Sequence, residues 1–288
     1  MKTADELRAL LARPEILVIP TVYDALSARI AVQAGFPAVF VSGFGVAAAR
    51  LGVPDTGLIS FGEMLDQLRG ICSAVPGVPV LADADTGFGN AMNVRRTVAE
   101  YARAGAACLM IEDQVSPKRC GHFEGKQVIS AIEARMKIRA AVEAARECGT
   151  MVLARTDARG PAGMEEALRR CQAFEEEGAE IVFLEAPHDT DELRAYVKAA
   201  HAPTMANMSR GARLPTMSPT QLAERGVRIA VYQPMLFTAA AAMRAAAQAL
   251  RNGDVVGGPN YCSMQDFKDI VDLPGYEALD RRYAVGGP

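Results

Sequence analysis

The sequence has no long apolar run, and its first residues do not show the pattern expected of a secretory leader. No stretch of its 288 residues approaches the ~20 uncharged apolar residues of a membrane-spanning helix. Its first residues, MKTADELRALLARPE, place acids and arginines where a signal peptide needs an apolar core. These two absences predict a cytoplasmic protein with no membrane partner.

An excess of charge of one sign is also missing. Lys and Arg number 31 against 34 Asp and Glu, for a formal net charge of -3, and the positive residues are dispersed. A nucleic-acid surface requires clustered positive charge, so no nucleic-acid partner is expected. A small-molecule ligand is favoured instead.

Paired cysteine motifs are absent as well. The chain contains six cysteines and no CxxC pair, which excludes a disulfide scaffold and a zinc module. Hydrophobic residues make up 50% and charged residues 23%, which is typical of a folded globular protein. Most of these cysteines are expected to be buried thiols, so one in a polar loop would stand out.

The chain does contain a recurring sequence pattern, which consists of a short apolar run, a polar or glycine-containing turn and an amphipathic stretch. This alternation predicts βα units. The runs are nearly continuous in apolar character, which suits strands buried on both faces. The eight predicted strands are Ile16–Val22, Ala38–Gly43, Val78–Asp85, Ala107–Asp113, Met151–Asp157, Glu180–Ala186, Pro203–Met208 and Val227–Gln233.

Capping patterns and glycines predict the helix boundaries. Three pairs have the S/T-x-x-E form of a capping box, namely Thr3 with Glu6, Ser60 with Glu63 and Ser130 with Glu133. Glycine adopts the left-handed conformation of a helix end at low cost. The glycines expected to end helices are Gly35, Gly70, Gly105, Gly149, Gly178, Gly226 and Gly253.

About eight βα units without a linker predict an α/β protein of the (β/α)8 barrel (TIM barrel) type over residues 1–253. The alternative is a doubly wound open sheet, which would more often carry a G-x-G-x-x-G turn after its first strand. GFGVAA after the second strand matches that pattern only in part, and DTGFGN after the third follows acids that would repel a phosphate. The barrel is therefore favoured.

The predicted strand ends are strongly polar, and in a barrel these ends form the active site. Asp83, Asp85, Glu112 and Glu185 are all oxygen ligands of the kind that Mg²⁺ or Mn²⁺ prefers. So many acids at one rim cannot all stay ionised without a compensating cation. The alternative is that individual acids cap helices or pair with arginines.

Two further residues carry chemistry by type and setting. The guanidinium of Arg155 can hold a substrate carboxylate through two hydrogen bonds, or it can form a structural ion pair with Asp157 or Glu185. Cys120 lies in the long polar segment QVSPKRCGHFEGKQ, which is predicted to be a mobile lid. Basic neighbours favour an accessible thiolate, although an exposed cysteine without a role is the alternative.

In order along the chain, the segments DADTGFGN, IEDQVSPKRCGH, LARTDA, FLEA and ANM accompany five of the predicted strands. This series resembles the isocitrate lyase and phosphoenolpyruvate mutase superfamily, over most of the chain. KRCGH in a loop after an acidic strand end is its most specific part. Within the superfamily, the chain is most similar to the group of methylisocitrate lyase, dimethylmalate lyase, petal death protein and carboxyphosphonoenolpyruvate mutase.

The resemblance implies a dimer or tetramer in which the last barrel helix packs on a neighbouring subunit. It implies Mg²⁺, with Mn²⁺ as the other candidate, held by Asp83 and Asp85 with Asp55 and Glu112 assisting through water. A small di- or tricarboxylate is the implied substrate. The substrate-binding residues that it implies are Tyr23, Ser42, Gly43, Phe44, Asp83, Arg155, Glu185, Asn207, Arg210 and Gln233.

The implied activity is cleavage of a carbon–carbon bond in a 2-hydroxy diacid, with release of pyruvate or a similar oxoacid. Such a cleavage leaves an enolate-like fragment that must be stabilised and protonated. By the resemblance Cys120 supplies that proton on the closed lid, aided by three basic neighbours. These catalytic neighbours are Lys118, Arg119 and His122.

Two departures from the resemblance bear on the substrate. The lyases have a glutamate two or three positions after the residue that matches Asn207, and this chain has Arg210 there. The reversed charge favours a more anionic substrate unless the side chain turns outward. Gln233 stands at a position that resembles one separating lyases from oxaloacetate hydrolases, and it matches neither. Hydrolysis or decarboxylation of oxaloacetate, phosphonomutase chemistry and a non-catalytic carboxylate-binding barrel therefore remain open.

The C-terminal segment, residues 254–288, is predicted to contain helices around Ser263–Val271 and Tyr276–Tyr283. Its aromatic residues would dock either on a partner subunit or on the chain's own barrel. The first option is implied by the resemblance.

Overall fold

Eight parallel strands form a closed barrel in the computed structural model, which describes residues 2–121, 125–209, 212–254 and 261–285. The strands pair in chain order, and β8 closes the barrel against β1 through the register Leu17 to Ile229. The prediction of a (β/α)8 barrel is confirmed. The strands are β1 Leu17–Val22, β2 Val39–Val41, β3 Val80–Asp83, β4 Cys108–Glu112, β5 Met151–Thr156, β6 Ile181–Leu184, β7 Thr204–Met208 and β8 Ile229–Tyr232.

Helices follow the strands and surround the barrel. Short α3 and a π-helical turn at Ala47–Leu51 follow β2, and α7 precedes α8 after β5. The helices are α1 Lys2–Ala12, α2 Ala25–Gln33, α3 Gly43–Val46, α4 Phe61–Ala74, α5 Ala91–Ala104, α6 Ala131–Cys148, α7 Arg159–Ala162, α8 Met164–Glu176, α9 Thr190–Ala199, α10 Pro219–Ala223, α11 Pro234–Arg251, α12 Met264–Ile270 and α13 Leu273–Tyr283.

The predicted helix boundaries hold with two exceptions. Ser60 forms the reciprocal capping box with Glu63, and the Ser130 hydroxyl accepts from the Glu133 backbone N–H. Thr3 does not cap α1, because the helix already includes Lys2. Gly70 does not end α4 either: the helix continues to Ala74, because its buried residues extend the apolar face beyond the glycine.

Two apolar layers hold the fold together. One fills the barrel interior with side chains such as Ile19, Leu81 and Ile229, and α1 contributes Leu7 to the same cluster. The other lies between the strands and the surrounding helices, where Tyr101 is fully buried. Because alternate residues of each strand serve the two layers, every strand is buried on both faces.

The last three helices differ from the others. None of the 18 residues of α11 is buried, and α12 and α13 likewise bury no residue. The exposed apolar side chains of this region include Phe237, Met243 and Leu250 on α11. The two helices predicted after residue 254 are therefore present. In the described ranges, every helix is too short or too polar to cross a bilayer.

Candidate active site

A cavity of 220 Å³ opens at the carboxyl ends of the strands and gathers most of the predicted site residues. Strand ends and the loops that follow them supply its polar lining. The predicted residues that line it are Ser42, Phe44, Asp55, Asp83, Lys118, Cys120, Arg155, Glu185, Asn207 and Gln233. Residues distant in sequence therefore meet in one place, as parallel strand ends in a barrel require.

An acidic cluster lies on one side of this cavity. Asp83 accepts hydrogen bonds from the backbone N–H groups of Gly43 and Asp85, at 3.2 and 3.0 Å. Gly43 packs so closely that a Cβ there would lie 2.7 Å from Asp83 Oδ2. The absence of a side chain at residue 43 thus allows the Asp83 carboxylate to sit against the backbone.

Lys118 is the cation that faces this cluster. Its Nζ lies 2.5 Å from Asp55 Oδ1 and 2.9 Å from Asp85 Oδ1, and all three side chains are about 5% exposed. Lys118 therefore neutralises part of the negative charge of these two carboxylates. Glu112 Oε1 accepts no hydrogen bond from a described residue, so the cluster keeps one buried carboxylate oxygen without a partner.

Burial dominates the electrostatics of these acids. It raises the pKa of Asp85 to about 6, although the Lys118 ammonium opposes the shift. Burial also raises the pKa of Glu112 well above its usual range, against the effect of Arg155. Burial lowers the pKa of Lys118, but the carboxylate of Asp85 and other acids overcome it, so this pKa lies well above the usual range.

Arg155 lies beside Glu112 of the acidic cluster, and the structure resolves which acid it pairs with most closely. Its Nε and Nη2 donate to the two carboxylate oxygens of Asp157, at 2.8 and 3.0 Å. Glu112 and Glu185 lie farther off, at 3.3 and 3.7 Å. The structural ion pair is thus formed, and Arg155 still lines the cavity.

The described part of the segment predicted to be a lid is fastened to the barrel. The backbone N–H of Cys120 donates to the Asp55 carbonyl at 3.0 Å, and the thiol lines the cavity with the residue 7% exposed. The Gln114 side chain accepts from the Arg119 N–H and donates to its carbonyl. Cys120 is therefore a buried cavity residue and not an exposed loop cysteine.

Some predicted site residues lie elsewhere. Arg119 contributes to the loop through its backbone, and its side chain is exposed. Tyr23 is half-buried beside Gly45, and it is not one of the described residues that line the cavity. His122 and Arg210 lie outside the described residues.

Sequence reasoning missed the apolar part of the cavity and a second tier of charged residues. The apolar lining is supplied by strand residues, one loop residue and one residue of α11, namely Phe40, Met110, Phe183, Met205, Val231, Ala212 and Phe237. Lys126 and Asp113 contact Asp157 and do not line the cavity. The alternation of inward-facing and outward-facing strand residues could have indicated the apolar lining, whereas no local sequence pattern marks Lys126 and Asp113.

With this geometry in place, comparison with known proteins identifies the family. The model of the phosphoenolpyruvate phosphomutase family matches residues 7–251. The chain is 40% identical over 289 residues to 2,3-dimethylmalate lyase of Eubacterium barkeri, covering 99% of this chain and 100% of that protein. The chain therefore belongs to the phosphoenolpyruvate phosphomutase family, and it is an enzyme of the isocitrate lyase and phosphoenolpyruvate mutase superfamily.

Solved structures agree with this assignment. Oxaloacetate acetylhydrolase in complex with the inhibitor 3,3-difluorooxalacetate superposes with a TM-score of 0.93 at 36% identity, covering 97% of this chain and 96% of that one. Phosphonopyruvate hydrolase in complex with oxalate and Mg²⁺ has a TM-score of 0.85 at 30% identity, covering 98% and 99%. The barrel is thus shared with enzymes that are named for different substrates.

Proposed function

We propose that this enzyme is a Mg²⁺-dependent lyase that cleaves a carbon–carbon bond in a small 2-hydroxy di- or tricarboxylate and releases pyruvate or a similar oxoacid. The observation that carries the proposal is the position of Cys120. Cys120 lines the same cavity as Asp83 and Arg155, so a residue that can donate a proton, an acidic residue and a guanidinium-bearing residue surround one small space. The similarity to 2,3-dimethylmalate lyase supports the same class of reaction.

The acidic cluster fits Mg²⁺ bound through few protein ligands. Asp55, Asp83, Asp85 and Glu112 offer only carboxylate oxygens, the ligand type that Mg²⁺ prefers over nitrogen or sulfur. Among the residues that the structure describes, no three His, Cys, Asp or Glu side chains converge as a ready metal site. Mg²⁺ usually keeps several waters and takes one or two carboxylates, and Asp83 and Asp85 are the candidates for these ligands. Mn²⁺ is the alternative ion.

When bound, the ion would polarise the substrate's carboxylate and neighbouring oxygen and offset negative charge at this rim. The remaining steps fall to the chain's own residues. Ser42 and the backbone of Gly43 would contact the substrate carboxylate, and Arg155 would face it from the other side. A carboxylate of the acidic cluster would take the 2-hydroxyl proton. The alkoxide oxygen would then become the carbonyl of the oxoacid as the carbon–carbon bond breaks, and the electron pair of that bond would stay on the carbon of the other fragment. The Cys120 thiol would then donate its proton to that carbon.

The far edge of the cavity bears on which substrate is used. Ser209 and Gln233 are within 3.3 Å, and Gln233 Nε2 donates to Asn207 Oδ1 at 3.5 Å. This edge offers amide and hydroxyl groups together with the apolar side chains of Met205 and Phe237. It supports a small substrate that has one end held by charge and another held by neutral groups.

The same proposal includes a cytoplasmic homo-oligomer. α11 buries none of its residues, although in a (β/α)8 barrel each outer helix packs on the strands. A neighbouring subunit that covers α11 would bury Met243 and Leu250, which are 65% and 63% exposed. A dimer or tetramer with an exchanged last helix accounts for this exposure.

The decisive experiment is a pyruvate-coupled assay over methylisocitrate, dimethylmalate, malates and oxaloacetate, each with Mg²⁺ and with chelator. Pyruvate release from one hydroxy diacid that stops with chelator and returns with Mg²⁺ supports the lyase. Silence over the whole panel, from a folded protein, contradicts it.

Hydrolysis of oxaloacetate is the second candidate. The similarity to oxaloacetate acetylhydrolase supports it as a candidate, with a TM-score of 0.93 at 36% identity. A structure of 2,3-dimethylmalate lyase has the same TM-score and identity, so the assay has to separate the two activities. Consumption of oxaloacetate alone, with release of oxalate and acetate, would select this activity over the lyase.

A further inference from the structure

Lys126 is a half-buried lysine that joins the loop carrying Cys120 to the barrel. It lies outside the lining of the cavity described above and lines a second cavity, which shares Gly121 and Glu185 with the first. Its Nζ donates to the Gly121 carbonyl at 2.7 Å and to Asp157 Oδ1 at 2.8 Å. The lysine side chain is 8% exposed and the Asp157 side chain is 0% exposed. A charged amine at this depth is costly unless its partners are well placed, so both contacts are strong constraints.

The first contact acts directly beside the thiol. Gly121 follows Cys120, and it packs against the guanidinium of Arg155 and the carboxylate of Glu185. A Cβ on Gly121 would lie 2.5 Å from Glu185 Oε1 and 2.6 Å from Arg155 Nη2. The position of the Gly121 carbonyl therefore determines how closely the thiol-bearing backbone approaches Arg155.

The second contact ties that backbone to a rigid support. Asp157 holds Arg155 through two hydrogen bonds, and its own N–H donates to Asp113 Oδ1 at 2.8 Å. Asp113 also accepts from the Thr156 hydroxyl at 2.6 Å and from Arg170 at 2.9 Å. Lys126 is thus the link between the loop and a buried network that already orients Arg155.

The other side of the loop segment has separate attachments. Lys118 pairs with Asp55, and the Cys120 N–H donates to the Asp55 carbonyl. These contacts fix the segment before the thiol. Lys126 fixes the segment after it, through the Gly121 carbonyl.

We propose that Lys126 is a positioning residue, which holds the Cys120–Gly121 backbone against Arg155 by bridging the Gly121 carbonyl and Asp157. Its effect on turnover depends on the proposed lyase function, whereas its effect on the burial of the thiol does not. The two effects can therefore be tested separately.

The test of burial is the rate at which iodoacetamide labels each cysteine, read by peptide mass spectrometry. Lys126→Met removes both hydrogen bonds and leaves Asp157 paired with Arg155. We expect Cys120 to be labelled at least tenfold faster than in the unchanged protein. Cys108 and Cys171, which are buried in the fold, should stay protected, and the exposed Cys262 should not change. Lys198→Met, on half-exposed α9, is the matched control and should leave every rate unchanged.

The test of turnover separates kcat from KM on whichever substrate the panel identifies. Lys126→Met should lower kcat at least tenfold with less than a threefold change in KM, because Arg155 keeps its Asp157 contacts. If methionine prevents folding, Lys126→Gln serves instead, since its amide still donates to one acceptor; threefold to tenfold faster labelling of Cys120 is expected. Unchanged Cys120 labelling in a folded variant would overturn the proposal. Faster labelling of Cys108 and Cys171 together with Cys120 would overturn it too, because that indicates general loosening.

Discussion

Replacement of Asp157 by asparagine should destabilise the barrel and make its stability less dependent on acid. Burial raises the pKa of Asp157, but Arg155 and Lys126 overcome this effect and lower it to about 2, from an ordinary value of 3.8. A difference of this size corresponds to about 2 kcal/mol of stability from the ionised carboxylate. It is present above pH 4 and is lost as the pH falls toward 2.

At neutral pH, the loss of stability caused by Asp157→Asn should exceed the roughly 2 kcal/mol that follows from the pKa shift alone, and it also has an upper limit. Removing one member of a buried ion pair costs about 3–5 kcal/mol when the other is left alone. Arg155 would retain Glu112 and Glu185, at 3.3 and 3.7 Å, so it would not be left alone. We therefore expect Asp157→Asn to lower the free energy of unfolding by about 2–4 kcal/mol.

Urea unfolding followed by circular dichroism, at one protein concentration, measures the free energy of unfolding of the unchanged protein and of Asp157→Asn at pH 7 and pH 3. The difference between the unchanged protein and the variant should shrink by about 1 kcal/mol at pH 3, where the unchanged protein has lost part of its ionised Asp157. Asp66→Asn is the matched control, because Asp66 pairs with Arg50 at 2.8 Å on the surface, where it is 64% exposed. It should cost less than about 0.5 kcal/mol. A difference that is below about 0.5 kcal/mol for Asp157→Asn at pH 7, or independent of pH, would refute the reasoning.

Three further changes test the site, the packing and the assembly. Cys120→Ala should reduce product release about 10²–10⁴-fold and leave oxalate-dependent thermal stabilisation intact, and turnover that survives the change would exclude the thiol as proton donor. Gly43→Ala should lower kcat/KM at least about tenfold, because its Cβ would lie 2.7 Å from Asp83 Oδ2. The control is Gly70→Ala, within α4, where the new Cβ has no atom within 4 Å; it should raise the free energy of unfolding by about 0.5–1 kcal/mol. Equal kinetics in the two variants would contradict the close packing of Gly43 against Asp83. Met243→Asp on α11 should give a species near the 30.7 kDa of one chain in light scattering, and an unchanged larger mass would exclude α11 from the interface.

The local sequence pattern predicts the barrel well because each strand is buried on both faces and each helix has its own end signals. All eight predicted strands are present, with boundaries that differ by one or two residues at most ends. The predicted helix start at Thr3 was wrong because α1 already includes Lys2. The predicted helix end at Gly70 was wrong because a glycine is a weak signal beside an apolar face that continues past it. The acids at the strand ends could also be found, since a barrel brings all its strand ends to one rim.

The sequence by itself determined the βα order and the polar residues at the strand ends, because these follow from the hydrophobic period and from the turn and capping residues between the elements. It favoured a barrel over an open sheet, and the pairing of β8 with β1 showed that the sheet closes. Only the tertiary structure decided how the charges pair. Arg155 could have met Asp157 or Glu185, and the geometry of β5 gave both strong hydrogen bonds to Asp157. Lys126 carries no local signal at all, since its two partners are five and 31 residues away along the chain. Such pairings depend on distances across the fold, which a one-dimensional pattern does not contain.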